Sequence, residues 1–288
     1  MKKTLILVIF SIFLFLSSCS LNRMAIRSMT PIFNSSVEAL YEETDLTLAE
    51  QAMASDLKLI DGMLKSDPDN KDLLLLAAQG YAGYALGFCE DTDNERAKVF
   101  YLRAKEYALR VLRQNDEFKK AENKSADAFA AEIKNMKLKD VPALFWAGFS
   151  WAGYINLSLD NPEALLDLPK TQVIMEQIAA LDPAYFDGAV YLYFGAVYGM
   201  KPRIMGGDPD KAKEYFDKNI QLTNDKYMMA YVYMAKYYAA KILDEELFDS
   251  YIKKILEAPV NIMPGKELFT QIAKKKAKYL MTQKENIF

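Results

Sequence analysis

Residues 191–216 read YLYFGAVYGMKPRIMGGDPDKAKEYF, and this stretch decides the fold. Tyr191, Phe194, Gly195 and Tyr198 fall at three- and four-residue spacing. The pattern then breaks at Gly206-Gly207-Asp208-Pro209 and resumes with Ala212 and Phe216 one helical turn apart. Two helices joined by a turn account for this order, and the alternation expected of a strand is absent. Asp208 is placed to cap the second helix by accepting its free amides. Gly195 stands mid-helix, where glycine costs about 1 kcal/mol relative to alanine. That cost is tolerated where another helix approaches closely.

The stretch has a counterpart. Displacing the chain by 115 residues sets Asp67-Pro68 on Asp182-Pro183, Gly80 on Gly195 and Asp93 on Asp208. It also sets Ala97-Lys98 on Ala212-Lys213 and Tyr101 on Phe216. In each half, Asp-Pro is expected to open the first helix, with proline at a position whose amide has no intrahelical partner. Helical spacing continues from about Ser36 to the end, interrupted at X-Pro boundaries. Residues 142–159 pair with 170–181, 226–241 pair with 245–257, and a lysine-rich helix at 266–284 closes the row. The expected class is all-α: a solenoid of irregular helical hairpins in two related halves offset by about 115 residues, forming one domain over 35–288.

Composition limits the chemistry. The chain has no histidine, which removes the commonest neutral-pH base and the commonest metal ligand. Paired carboxylates at a convincing spacing, phosphate-binding glycine loops and metal clusters are missing from the sequence. No catalytic residue, metal or cofactor is therefore assigned. The net charge is −3 and no basic stripe is interleaved with aromatics, so nucleic acid is not an expected partner. Of the two cysteines, Cys89 reads as a small buried apolar residue.

The other cysteine ends a leader. Lys2 and Lys3 precede the apolar run Leu5 to Leu16, which is shorter than the ~20 residues of a membrane span and fits a secretory signal. Leu16-Ser17-Ser18-Cys19 follows. This resembles the lipobox of bacterial lipoproteins and implies a signal peptide over 1–18 and lipidation of Cys19; the residues from 20 to about 34 carry no periodic pattern, so 19–34 reads as the lipidated cysteine and a flexible tether. Membrane attachment would then be through acyl chains. Ser20 after the cysteine favours the outer membrane by the enterobacterial rule.

Phe194-Gly195, Tyr198, Ala212 and Phe216 resemble the tetratricopeptide repeat. The departure is the 17 residues from Gly195 to Ala212, matched by Gly80 to Ala97 and longer than a standard repeat has. A second resemblance spans nearly the whole chain. Phe194-Gly195, Gly206-Gly207-Asp208-Pro209-Asp210-Lys211-Ala212, Leu144-Phe145-Trp146-Ala147-Gly148 with Trp151, and Asp182 to Ala189 resemble the T component of certain TRAP transporters, the TatT-type periplasmic lipoproteins. That resemblance implies a non-enzymatic accessory subunit of an uptake system. It further implies homotrimers, a pore or cleft through each subunit, and association with the periplasmic solute-binding protein. The ligand would be a small apolar molecule or organic acid.

The candidate ligand- or partner-binding residues are Trp146, Phe149, Trp151, Tyr154, Tyr191, Phe194, Tyr198, Lys201 and Arg203. The aromatic ones either line a cleft, which such sites favour, or fill helix interfaces. Gly206, Gly207 and Asp208 form the family's motif turn, which either presents amides to an anion near Lys201 and Arg203 or makes a tight turn and cap. Lys274, Lys275, Lys276 and Lys278 either touch anionic headgroups or, as such a run more often does, form the solvated face of a terminal helix. A cell-envelope scaffold for protein assembly, with no small ligand, is the alternative function.

Overall fold

The computed structural model describes residues 21–201 and 203–288, so the leader and Cys19 lie outside the described residues. Residues 21–28 are helical and lead to α1 (Thr30–Tyr41), α2 (Leu46–Ser66), α3 (Lys71–Tyr84) and α4 (Asn94–Leu112). Next come the short α5 (Asp116–Ala121) and α6 (Ala126–Ile133), then α7 (Val141–Asn156), α8 (Pro162–Leu165), α9 (Leu168–Leu181) and α10 (Tyr185–Met200). The last group is α11 (Pro209–Leu222), α12 (Met228–Met234), α13 (Ala240–Ile242), α14 (Glu245–Glu257), α15 (Glu267–Thr282) and α16 (Lys284–Ile287). Among the described residues there is no strand, and no helix is long and apolar enough to cross a membrane.

Side-chain caps set where these helices begin. Asp45, Asp93, Asn115, Ser125, Asp208 and Asp244 each accept amides of the first turn that have no intrahelical partner. Asp93 and Asp208 therefore cap as the sequence indicates. Asp67 does not open α3. It ends α2, and Asn70 takes the amides of Asp72 and Leu73 at 3.1 and 3.2 Å. Asp67 is instead buried and held by Arg27 at 2.9 Å and by the Asn70 amide at 3.1 Å. The Arg27 contact pulls its carboxyl pKa below the usual value, against the opposing effect of burial.

Arg27 belongs to the stretch expected to be a tether, yet this stretch is helical over 21–28 and Thr30–Tyr41. Ile26 and Phe33 of it, and Leu40 further along the same helix as Phe33, pack against the core. One apolar contact every second turn leaves too thin a stripe for the 3.6-residue period to show in sequence.

Neighbouring helices pack side by side: α2 on α3, α3 on α4, α4 on α7, α7 on α9, α10 on α11, and α12 on α14. The glycines permit close approach, with different partners in the two halves. A β-carbon on Gly195 would run into the Phe216 ring, whereas one on Gly80 would meet Leu57 Cδ2 at 2.8 Å. Tyr101, the counterpart of Phe216, packs on Gly153 of α7 instead. Ala97, Tyr101, Ala212 and Phe216 are all buried. The row of hairpins then curls shut. α15 packs on α12 and α14 and also reaches α1 and α2, so the last long helix meets the first ones.

Candidate functional site

Closing the row leaves a hollow. A cavity of about 130 Å³ lies inside, walled by apolar side chains such as Phe149, Ile155, Leu192 and Met229 from α7, α10 and α12. A second cavity, about 240 Å³, lies between α1, α2, α3 and α15 and is almost wholly apolar. Each is smaller than the ~300 Å³ at which ligand pockets usually begin.

Phe186 borders both cavities. Its ring sits 4.9 Å from Trp146, 5.4 Å from Phe145 and 5.7 Å from Phe269, centroid to centroid. The backbone that presents it is unusual: Phe186 (φ 48°), Asp187 (φ 56°) and Gly188 (φ 66°) are consecutively left-handed. Such residues cost about 1–3 kcal/mol each when not glycine and persist only where their surroundings fix them. Here Asn219 Nδ2 donates to the carbonyls of Asp187 and Gly188 at 2.7 and 2.9 Å, and Lys266 Nζ lies 2.6 and 2.7 Å from the two Asp187 carboxylate oxygens.

The polar end of the first cavity is assembled at two π turns. α3 runs into one at Ala85–Cys89, and α12 into another at Ala235–Ala239. A π turn widens the helix by one residue and is frequent at functional sites. The first delivers Glu90 and Asp91, the second Lys236 and Tyr237, all to the same cavity wall. From α15, Lys276 Nζ lies 2.9 Å from Glu90 Oε2 and 2.9 Å from Asp91 Oδ2. The Tyr101 hydroxyl donates to Glu90 Oε1. Burial pulls the Lys276 pKa down, but Glu90 and Asp91 outweigh it and leave the net value raised. Lys275 donates to the Gly87 carbonyl of the first π turn at 3.0 Å.

Lys276 thus departs from the solvated face expected of its run: it is 6% exposed, while Lys278 stays exposed. Lys236 is partly buried, with Nζ 5.3 Å from the Tyr237 ring centre. Among the described residues no carboxylate oxygen lies within 4.0 Å of it. Neighbouring Tyr237 raises its pKa, burial opposes this, and Glu90 and Asp91 add to the rise.

The residues named from sequence divide. Phe149 borders the first cavity and Trp146 the second. Trp151 borders neither: its Nε1 donates to Asp167 at 3.1 Å and Lys105 Nζ lies 4.6 Å above its ring. Tyr154 is half-buried and not in either lining. Tyr191, Phe194 and Tyr198 gather around Tyr215 away from both cavities, with the Tyr198 and Tyr215 rings stacked at 5.7 Å. Lys201 and Arg203 stand beyond α10, with Arg203 exposed. Gly206 takes φ 85° in the motif turn, Gly207 follows, and Asp208 accepts the amides of Asp210 and Lys211 at 3.1 Å each.

Phe186, Glu90, Asp91, Lys236 and Lys276 were not singled out as site residues by sequence. The available signal was Lys236, a lone charge inside the apolar run 228–240, MMAYVYMAKYYAA.

A profile of the family described as TRAP transporter T-component matches residues 42–288. An uncharacterized protein of Treponema pallidum (strain Nichols) is 24% identical over 305 aligned positions, covering 94% of each chain. The matched span takes in the first cavity with its charged floor and every helix after α1, and on that match the chain belongs to the TRAP transporter T-component family.

Proposed function

We propose that this protein is a non-enzymatic, periplasm-facing accessory subunit of a TRAP-type uptake system, which holds a small organic solute inside the helical ring and exchanges it with a solute-binding protein. The observation that carries the reading is the closed row of helices around an apolar hollow with a few polar groups at one end. That composition is what small-molecule sites use: apolar walls for affinity and sparse polar groups for orientation. Family membership supplies the link to TRAP transport.

The leader resemblance supports attachment through lipidated Cys19, and the outer membrane is the favoured location. Homotrimer formation rests on the family resemblance alone. The half-buried Tyr191, Tyr198 and Tyr215 offer aromatic bodies with polar tips, a residue type enriched at protein interfaces, and suit contact with the solute-binding protein.

The test is crosslinking in the native host, followed by detergent extraction of the tagged full chain. Enrichment of a periplasmic solute-binding protein is the expected result. Failure to enrich one under conditions that trap other envelope complexes contradicts the reading. Sedimentation of the extracted protein decides between a trimer and a monomer.

A further inference from the structure

We propose that the helix over residues 21–28 lies on the bilayer with Leu21 and Met24 sunk among the headgroups, and that it fixes how the folded body stands on the membrane. This rests on the attachment through lipidated Cys19 proposed above, and adds the surface that meets the lipid.

The helix is turned inside out. With about 3.6 residues per turn, Arg23, Ile26 and Arg27 share one side. That side faces the body: Ile26 packs against the core, and Arg27 and Arg23 lie 2.9 and 3.8 Å from Asp67. Leu21, Met24, Ala25 and Ser28 share the opposite side. Leu21 is 59% exposed and Met24 67%, and Ala25 and Ser28 are exposed with them. A helix on a protein surface in water does the reverse, turning its apolar stripe inward and its charges outward. An uncharged, largely apolar outer side suits a medium less polar than water.

Charge agrees with that placement. The first carboxylate of the chain is Glu38, so nothing near the helix start repels lipid phosphates. Both arginines remain more than half exposed beside Asp67, and a guanidinium has five donors, enough to reach a phosphate at the flank as well. A basic flank beside an apolar side is the pattern of helices that lie in the interface, sunk about 5–10 Å to the headgroup and acyl boundary.

The chain leaves no slack between anchor and body. Leu21 is two residues from Cys19, at most ~7 Å of extended chain. Arg27 follows within ~9 Å of helix, and it is tied to Asp67 at the end of α2. A second protein could cover Leu21 only by wedging between the helix and the membrane beside it. The residues that come next, Met29, Ile32 and Phe33, line the second cavity, so the same contact brings that cavity up to the bilayer.

The experiment uses the full lipidated chain in nanodiscs of zwitterionic lipid, with acylation read from the intact mass. Nitroxides are attached in turn to Met24→Cys, Ser28→Cys and Glu38→Cys; Cys89 is buried and Cys19 acylated, so the new thiol takes the label. Collision of each label with oxygen and with a water-soluble nickel chelate is measured by paramagnetic resonance. The oxygen-to-nickel ratio is expected to be at least threefold higher at 24 and 28 than at 38. Adding Leu21→Ser and Met24→Ser should bring the ratio at 28 down to that at 38, whereas adding Leu166→Ser, at another exposed leucine, should leave it unchanged. Equal ratios at 24, 28 and 38 in acylated protein overturn the proposal and leave the anchor intact. Labels at 24 and 28 shielded from both reagents also overturn it, by placing a second protein on this side. A mass without acyl chains overturns the anchor and the proposal together.

Discussion

Gly199 of α10 faces the carbonyl oxygen of Tyr237 so closely that a β-carbon at 199 would overlap it. This contact seats α10 directly on the π turn that carries Lys236 to the cavity. The absence of a side chain at 199 is what lets α10 and this turn pack together.

Gly199→Ala must displace backbone, which yields less readily than the end of a side chain. A loss of about 1–3 kcal/mol is expected, as for overpacking in a core. Gly62→Ala is the control: nothing lies within 4 Å of a β-carbon there, and alanine in a helix is worth up to about 1 kcal/mol more than glycine. Urea unfolding of both variants checks the pair, and equal effects would contradict the contact.

Lys276→Met leaves the buried Glu90 and the half-buried Asp91 without their shared cation. Breaking a buried pair in this way costs about 3–5 kcal/mol. Lys276→Met with Glu90→Gln and Asp91→Asn removes the uncompensated charge and should recover most of it. Because the Lys276 pKa is raised in the folded protein, its contribution is complete below the ordinary lysine value of about 10.4 and is lost as pH rises through the raised one. The stability difference between parent and Lys276→Met should therefore be flat from neutral pH to about 9 and shrink above about 10.4. A difference already shrinking between pH 7 and 9 would argue against the buried pair.

Phe186 lines both cavities, and Phe186→Ala should merge them. Apolar probes too long for the inner cavity, such as 6-phenylhexanoate, should gain affinity, while 3-phenylpropanoate changes little. Unchanged chain-length selectivity would show that another group divides the space. Phe186→Gly relieves the left-handed backbone and should be more stable than Phe186→Ala by about 1 kcal/mol or more, read from thermal melts.

Much of the fold was legible because it depends on local chemistry. The 3.6-residue period, the caps Asp93 and Asp208, and the close approach at Gly195 are all written within a turn or two of themselves. Asp67 misled because an Asn three residues on is equally able to accept amides, and the Arg27 that claims Asp67 is 40 positions away. The site was less legible for the same reason on a larger scale. Lys276 pairs with Glu90 across 186 positions, and only closure of the helical row brings them together. A run of four lysines in five residues reads as solvent-facing until that closure is known. Trp151 shows the converse: an aromatic in a rich cluster is satisfied by Asp167 and Lys105 and needs no ligand.

The central claim, that the ring's interior rather than its aromatic outer face receives the solute, is tested most directly by photolabelling. The probe is 4-(trifluoromethyl-diazirinyl)benzoate, irradiated with the full chain in nanodiscs, and modified peptides are mapped by mass spectrometry. Labelling confined to cavity-lining positions such as Phe149, Leu192, Met229 and Tyr233, and competed by 3-phenylpropanoate, is the predicted result. Labelling confined to Tyr191, Tyr198 and Tyr215, with the interior untouched, would contradict it.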